Sequence, residues 1–272
     1  MRGGAAAAPI AGNQLAEEIF AAKAQALGLD PGSAWVGGYV DYEWKMLRPI
    51  FQGYGLDLRG LEVLEFGCNY GASSIVMARL GASVCGVDVD PSAVDLARSN
   101  AARYGRADIA LQHVPDTRHL PYGDGRFDFV LCNSVLEYVR PAELAAVLRE
   151  LRRVLKPGGR MLITGTSSRL ALREVHSGRW LVNYLPRRVD SWLGRSWQRG
   201  LSPFLLHRLV RDGFSDEDGA TRGRGWAAAR AAMRGGGRPP ARVRAVAALG
   251  RWLGIGPGWL TPNISVMLRR AR

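Results

Sequence analysis

Apolar and polar positions follow one another along this chain in blocks, short unbroken apolar runs giving way to longer stretches with helical spacing. Residues 13–27 carry apolar side chains at helical intervals and stop at Gly28, with Asp30-Pro31-Gly32 as a turn. Four aromatic residues, Trp35, Tyr39, Tyr42 and Trp44, then fall within ten positions ahead of a helical stretch that ends near Phe51. From there the alternation is regular: strands at 61–66, 83–87, 109–114, 127–132 and 160–164, and helices at 72–80, 91–104 and 141–155. Strands that alternate with helices predict a doubly wound, Rossmann-like, mostly parallel α/β sheet. Beyond Gly165 the pattern loosens into Arg-rich, Trp-bearing segments, with helices near 203–211, 225–234 and 241–253 and a Gly/Pro break at 235–240. Residues 263–268 alternate as a last edge strand. The chain is thus expected to divide into an N-terminal helical cap (1–60), the sheet core (61–165), and an Arg- and Trp-rich helical substrate cap that also carries the last strand or strands (166–272).

The candidate chemistry lies at the carboxyl ends of these strands. Val63-Leu64-Glu65-Phe66-Gly67-Cys68-Asn69-Tyr70-Gly71 is an apolar strand running through a carboxylate into a small-residue turn and a helix N-terminus, a general recipe for holding a polar ligand. Asp88 closes the second strand, where a carboxylate takes both hydroxyls of a ribose; Asp90 is better placed than Asp88 to cap the following helix. Asp116 follows the third strand, ahead of Leu120-Pro121-Tyr122-Gly123-Asp124-Gly125-Arg126-Phe127-Asp128.

Together with Val135-Leu136-Glu137-Tyr138-Val139 and Arg153-Val154-Leu155-Lys156-Pro157-Gly158-Gly159, these ordered motifs resemble the class I S-adenosylmethionine-dependent methyltransferases over about residues 61–165. The resemblance is to the group that methylates small molecules, quinones and lipid or sugar intermediates. It implies S-adenosylmethionine as cofactor, S-adenosylhomocysteine as product and no metal. Gly67, Cys68 and Gly71 would pass the methionine part, Glu65 would order the loop and hold its ammonium, and Asp88 would bind the ribose. Asp116 would receive the adenine amino group, with Thr117 beside it and Val89 on the ring; Asn133 and Ser134 would face the sulfonium and the entering substrate. Asn69 stands where the family pattern has a glycine, and Asn is the residue other than Gly that best tolerates a left-handed backbone. Tyr39 and Trp44 are the ligand contacts expected from the aromatic cluster. The absent Gly-x-x-Gly half of a dinucleotide fingerprint weighs against hydride transfer.

Methyl transfer is an in-line displacement that needs a base only when the nucleophile must lose a proton. The candidates are Glu137, His176 and Tyr184, with His207 behind them.

Composition adds a charge asymmetry. Net charge is +13, and residues 173–272 alone hold 19 Arg and 6 acids. Trp180, Tyr184, Arg187, Arg188, Trp192, Leu193, Arg195 and Trp197 mix aromatic and cationic groups. Either these tryptophans form the core of a helical cap, or the segment suits an anionic amphiphile or an anionic membrane surface. An RNA-directed methyltransferase and a catalytically silent cofactor-binding subunit are the competing readings. Against them stand the missing Asn-Pro-Pro-Tyr and Pro-Cys loops of base-modifying enzymes and the presence of all three strand-end acids. No apolar run approaches the roughly 20 residues of a membrane span. The start, Met1-Arg2-Gly3-Gly4 and four alanines, reads as a frayed tail rather than a secretory signal. Cys68, Cys85 and Cys132 have no metal-site spacing. These features fit the cytoplasm, with peripheral contact at the inner membrane face.

Overall fold

The computed structural model describes residues 13–186, 188–192 and 197–272. The N-terminal tail, Arg187, Leu193 and Arg195 lie outside them. Helices α1 (Gln14–Ala26) and α2 (Tyr39–Gly53) precede β1 (Glu62–Phe66), α3 (Ala72–Arg79), β2 (Ser83–Asp88), α4 (Pro91–Arg103), β3 (Ala110–His113) and β4 (Phe127–Asn133). Then come α5 (Leu144–Val154), β5 (Leu155–Ser167), α6 (Arg188–Trp192), α7 (Pro203–Val210), β6 (Phe214–Asp216), α8 (Glu217–Ala220), α9 (Arg224–Ala232), α10 (Ala241–Leu253) and β7 (Asn263–Arg270).

Seven strands form one sheet in the order β3-β2-β1-β4-β5-β7-β6. The first five are parallel, and β7 runs antiparallel to both β5 and β6. Strand order reverses between β1 and β4, the place where open α/β sheets bind ligands beyond their carboxyl ends. Alternate side chains feed two cores. Val63, Phe129, Leu131, Leu162 and Met267 face α2, α3 and α4, whereas Leu64, Val130, Cys132, Met161, Ile163, Val266 and Leu268 face α5 and α7.

Two expectations need correction. Residues 263–268 are not an edge strand: β7 lies between β5 and the short edge strand β6, and Ile264 to Leu268 are buried without a break. The helix expected over 141–155 begins only at Leu144, because 141–143 form a turn, and Leu155 already pairs with Phe127 of β4. No helix among the described residues is long and apolar enough to cross a membrane.

Candidate active site

A cleft of about 1080 Å³ opens beyond the carboxyl ends of β1, β2, β4 and β5. Glu65 sits in β1, an interior strand paired on both sides, and is 2% exposed. It accepts a short hydrogen bond from Ser74 Oγ of α3, and burial pushes its carboxyl up to about 8. The turn after it has no room for a side chain at its first position. Gly67 has φ 77°, and a Cβ there would lie 2.2 Å from Val135 Cγ2. Asn69 takes φ 44°, the left-handed conformation expected of it, and its N–H donates to Asp88 Oδ2 at 2.8 Å. Asp88 Oδ1 accepts the Asp90 N–H at 3.0 Å, while Asp90 caps α4 by accepting the Ser92 N–H at 2.8 Å. Asp88 therefore braces the loop and is left free of helix capping.

Glu65, Gly67, Cys68, Asn69, Asp88, Val89, Asp116, Thr117, Asn133, Ser134 and Tyr39 all line this cleft. Gly71 stands behind it as the left-handed N-cap of α3, with φ 77°. Cys68 turns its thiol into the core, where burial holds it well above the usual thiol range. Asp116 is gripped by Arg118 at 2.8 and 3.0 Å, which keeps its carboxyl well below the usual range. Ser134 has φ 51°, an uncommon conformation for a side-chain-bearing residue at a strand end.

Trp44 is not on the cleft wall. Five positions from Tyr39, it is rotated about 140° around the helix, and it packs on the core beneath Arg48. The acid that α2 presents to the cleft is Glu43, four positions from Tyr39 and 2% exposed. Burial raises it to about 7 against hydrogen bonds from Tyr39 and Asn133. Sequence reasoning passed over Glu43, although an acid within the stripe Val40, Leu47, Ile50 and Phe51 marks a buried carboxylate.

Of the three candidate bases, two meet. His176 lines the cleft with Nε2 2.7 Å from Glu137 Oε1. Glu137 is fully buried and also accepts the Ser167 N–H at 3.1 Å. The Glu137 hydrogen bond raises the His176 pKa against the effect of burial. Tyr184 lies elsewhere: it is exposed, and its Oη donates to the Leu170 carbonyl at 2.7 Å. His207 rests edge-on against Trp259, away from the cleft. Among the described residues, no cluster of His, Cys, Asp or Glu is arranged to hold a metal.

The site suits a cationic nucleoside ligand: a turn that a Cβ would block, a brace carboxylate at the end of β2, and buried acids facing the cleft. Residues 64–163 match the family model described as "Methyltransferase domain". The chain is similar to "Ubiquinone biosynthesis O-methyltransferase" of Cereibacter sphaeroides, 31% identical over 159 residues that cover 57% of this chain and 60% of the relative. The protein of the same name from Xanthomonas oryzae pv. oryzae is 36% identical over 148 residues, 52% of this chain and 60% of the relative. The chain thus spans about 60% of the length of these curated relatives. Among solved structures, a putative sarcosine dimethylglycine methyltransferase from Galdieria sulphuraria shares the fold with a TM-score of 0.54 at 17% identity, covering 85% of each chain. An S-adenosylmethionine-dependent methyltransferase from Mesorhizobium loti does so with a TM-score of 0.52 at 22% identity, covering 88% of this chain and 99% of the other.

Proposed function

We propose, from the match of residues 64–163 to the methyltransferase-domain family model, that the chain is a class I S-adenosylmethionine-dependent methyltransferase that transfers a methyl group to an oxygen of a small-molecule or lipid- or sugar-linked metabolite. The observation that carries this reading is His176, backed by the buried Glu137, on the same cleft as the strand-end acids Glu65, Asp88 and Asp116. S-adenosylmethionine supplies an activated methyl group that departs by in-line displacement, leaving S-adenosylhomocysteine. Glu65 would hold the ammonium, Asp88 the ribose, and Asp116 with Thr117 the adenine edge. His176 donates Nε2–H to Glu137, which leaves the Nδ1 lone pair to take the proton of an acceptor hydroxyl. Glu137 positions the ring and stabilises its cation. The oxygen acceptor is supported by this base and by the names of the two curated relatives.

Calorimetry with S-adenosylhomocysteine tests the cofactor half. Micromolar binding by the wild type and its loss in Asp88→Ala are expected; no binding by the wild type sinks the proposal.

The same reading includes peripheral contact with an anionic membrane surface. Trp252 is 81% exposed, Leu249 47% and Leu253 46%, on a helix that also exposes Arg242, Arg244 and Arg251. In the preceding segment Trp192 is 91% exposed.

A further inference from the structure

One carboxylate in the cleft is used neither by the strand-end motif nor by the His176–Glu137 pair. Glu43 is buried and lines the cleft together with Tyr39 of its own helix and Asn133 at the end of β4, two side chains that favour its charged form against burial. Asn133 is held in place by donating to Ser73 Oγ of α3 at 3.1 Å. The Glu43 charge also acts on Glu65 across the cleft floor.

The cations on the cleft walls are committed elsewhere. Arg118 pairs with Asp116, Arg140 with Glu143, and Arg230 of α9 stacks over Trp226 and reaches Met233 Sδ. Tyr42 is the other titratable group that feels Glu43. Among the described residues that line the cleft, therefore, Glu43 and Glu65 are the buried acids without an ion-pair partner. A buried carboxylate without a cation is costly. Its retention is explained when a cation arrives with the ligand.

We propose that Glu43 is a second cofactor carboxylate, one that holds the sulfonium charge of S-adenosylmethionine and selects against the uncharged sulfur of the product. Its partner Asn133 stands where the family resemblance places the sulfonium, and Glu65 serves the ammonium, which substrate and product share. The inference rests on the cofactor reading and gives it a release step: the affinity that Glu43 contributes vanishes when the methyl group leaves.

Calorimetry on the full chain measures Kd for S-adenosylmethionine, S-adenosylhomocysteine and sinefungin, which carries an amine in place of the methylsulfonium. Glu43→Gln should weaken the two cationic ligands about tenfold or more and S-adenosylhomocysteine less than about threefold; Glu43→Asp should recover part of the difference. Equal losses for all three, or none, overturn the proposal. A wild type that binds none of them overturns the cofactor reading itself, a distinct outcome. Wild-type titrations near pH 7 in buffers of different ionisation enthalpy give a second readout that needs no variant. A nearby cation drives the proton off a carboxyl whose pKa burial has raised, so S-adenosylmethionine should release more protons than S-adenosylhomocysteine. Equal release overturns the assignment.

Discussion

In the mechanism proposed above, the His176–Glu137 pair sets the direction in which catalysis responds to pH. The Glu137 hydrogen bond raises the folded pKa of His176 above its ordinary value of about 6.5. The stability this pair contributes is complete below that ordinary value and is lost as pH rises through the raised one. A base, however, must be unprotonated, so kcat/KM should climb through the same window in which the stabilisation disappears. Glu137→Gln should move the acid limb of the rate profile to lower pH and reduce kcat tenfold or more, while His176→Ala should cost about 10²–10⁴-fold. A profile whose acid limb does not move in Glu137→Gln removes His176 from the mechanism. The ingredients of this pair were legible as residue types, but their meeting was not. They stand 39 positions apart, with a helix, a strand and an irregular loop between them, and sequence spacing says nothing about where that loop returns.

Short elements in the cap hold by polar anchoring where apolar burial is scarce. Asp216, the last residue of β6, accepts four N–H groups: Oδ1 takes those of Asp218 and Gly219 at 2.9 and 3.1 Å, and Oδ2 takes Gly256 N and Trp259 Nε1, both at 2.9 Å. It thereby ties β6, α8 and the turn leading to β7 together. Asp216→Ala should cost about 2–4 kcal/mol in urea unfolding with S-adenosylhomocysteine affinity unchanged, since Asp216 does not line the cleft. A variant of wild-type stability would show these bonds to be replaceable by water. The same economy explains what was hard to read. β1, β2, β4 and β5 announce themselves through unbroken apolar runs, whereas Phe214-Ser215-Asp216 is three residues long with one buried side chain. With β6 so faint in the sequence, the apolar pattern places β7 at the edge. On α2 the aromatic residues drew attention to Trp44, although helical rotation brings Glu43 onto the face that carries Tyr39.

At the scale of the molecule, the two halves of the chain differ in charge. The +13 excess lies wholly within residues 173–272, and these residues also expose Trp180, Trp192 and Trp252. These three rings are not the cap's core, which uses Trp226 and Trp259 instead, 3% and 2% exposed. Along α10, Ala245, Ala248, Leu249 and Trp252 follow an i, i+3, i+4, i+7 spacing and are all exposed, while Val243, Ala247 and Gly250 turn inward. A second apolar stripe flanked by arginines, on the outward side of a helix already packed, has the composition of an interfacial helix. Nucleic acid would be attracted to the same charge but would have no use for the leucine and tryptophan. The two partners therefore respond differently to salt and to substitution. Cosedimentation with phosphatidylglycerol-containing vesicles should exceed that with phosphatidylcholine vesicles and should fall several-fold in Leu249→Ala/Trp252→Ala, whose net charge is unchanged. Retention on RNA should depend on charge alone, weakening with salt and ignoring that double substitution. If the substituted protein sediments like the wild type, the arginines suffice and the stripe has no part in binding.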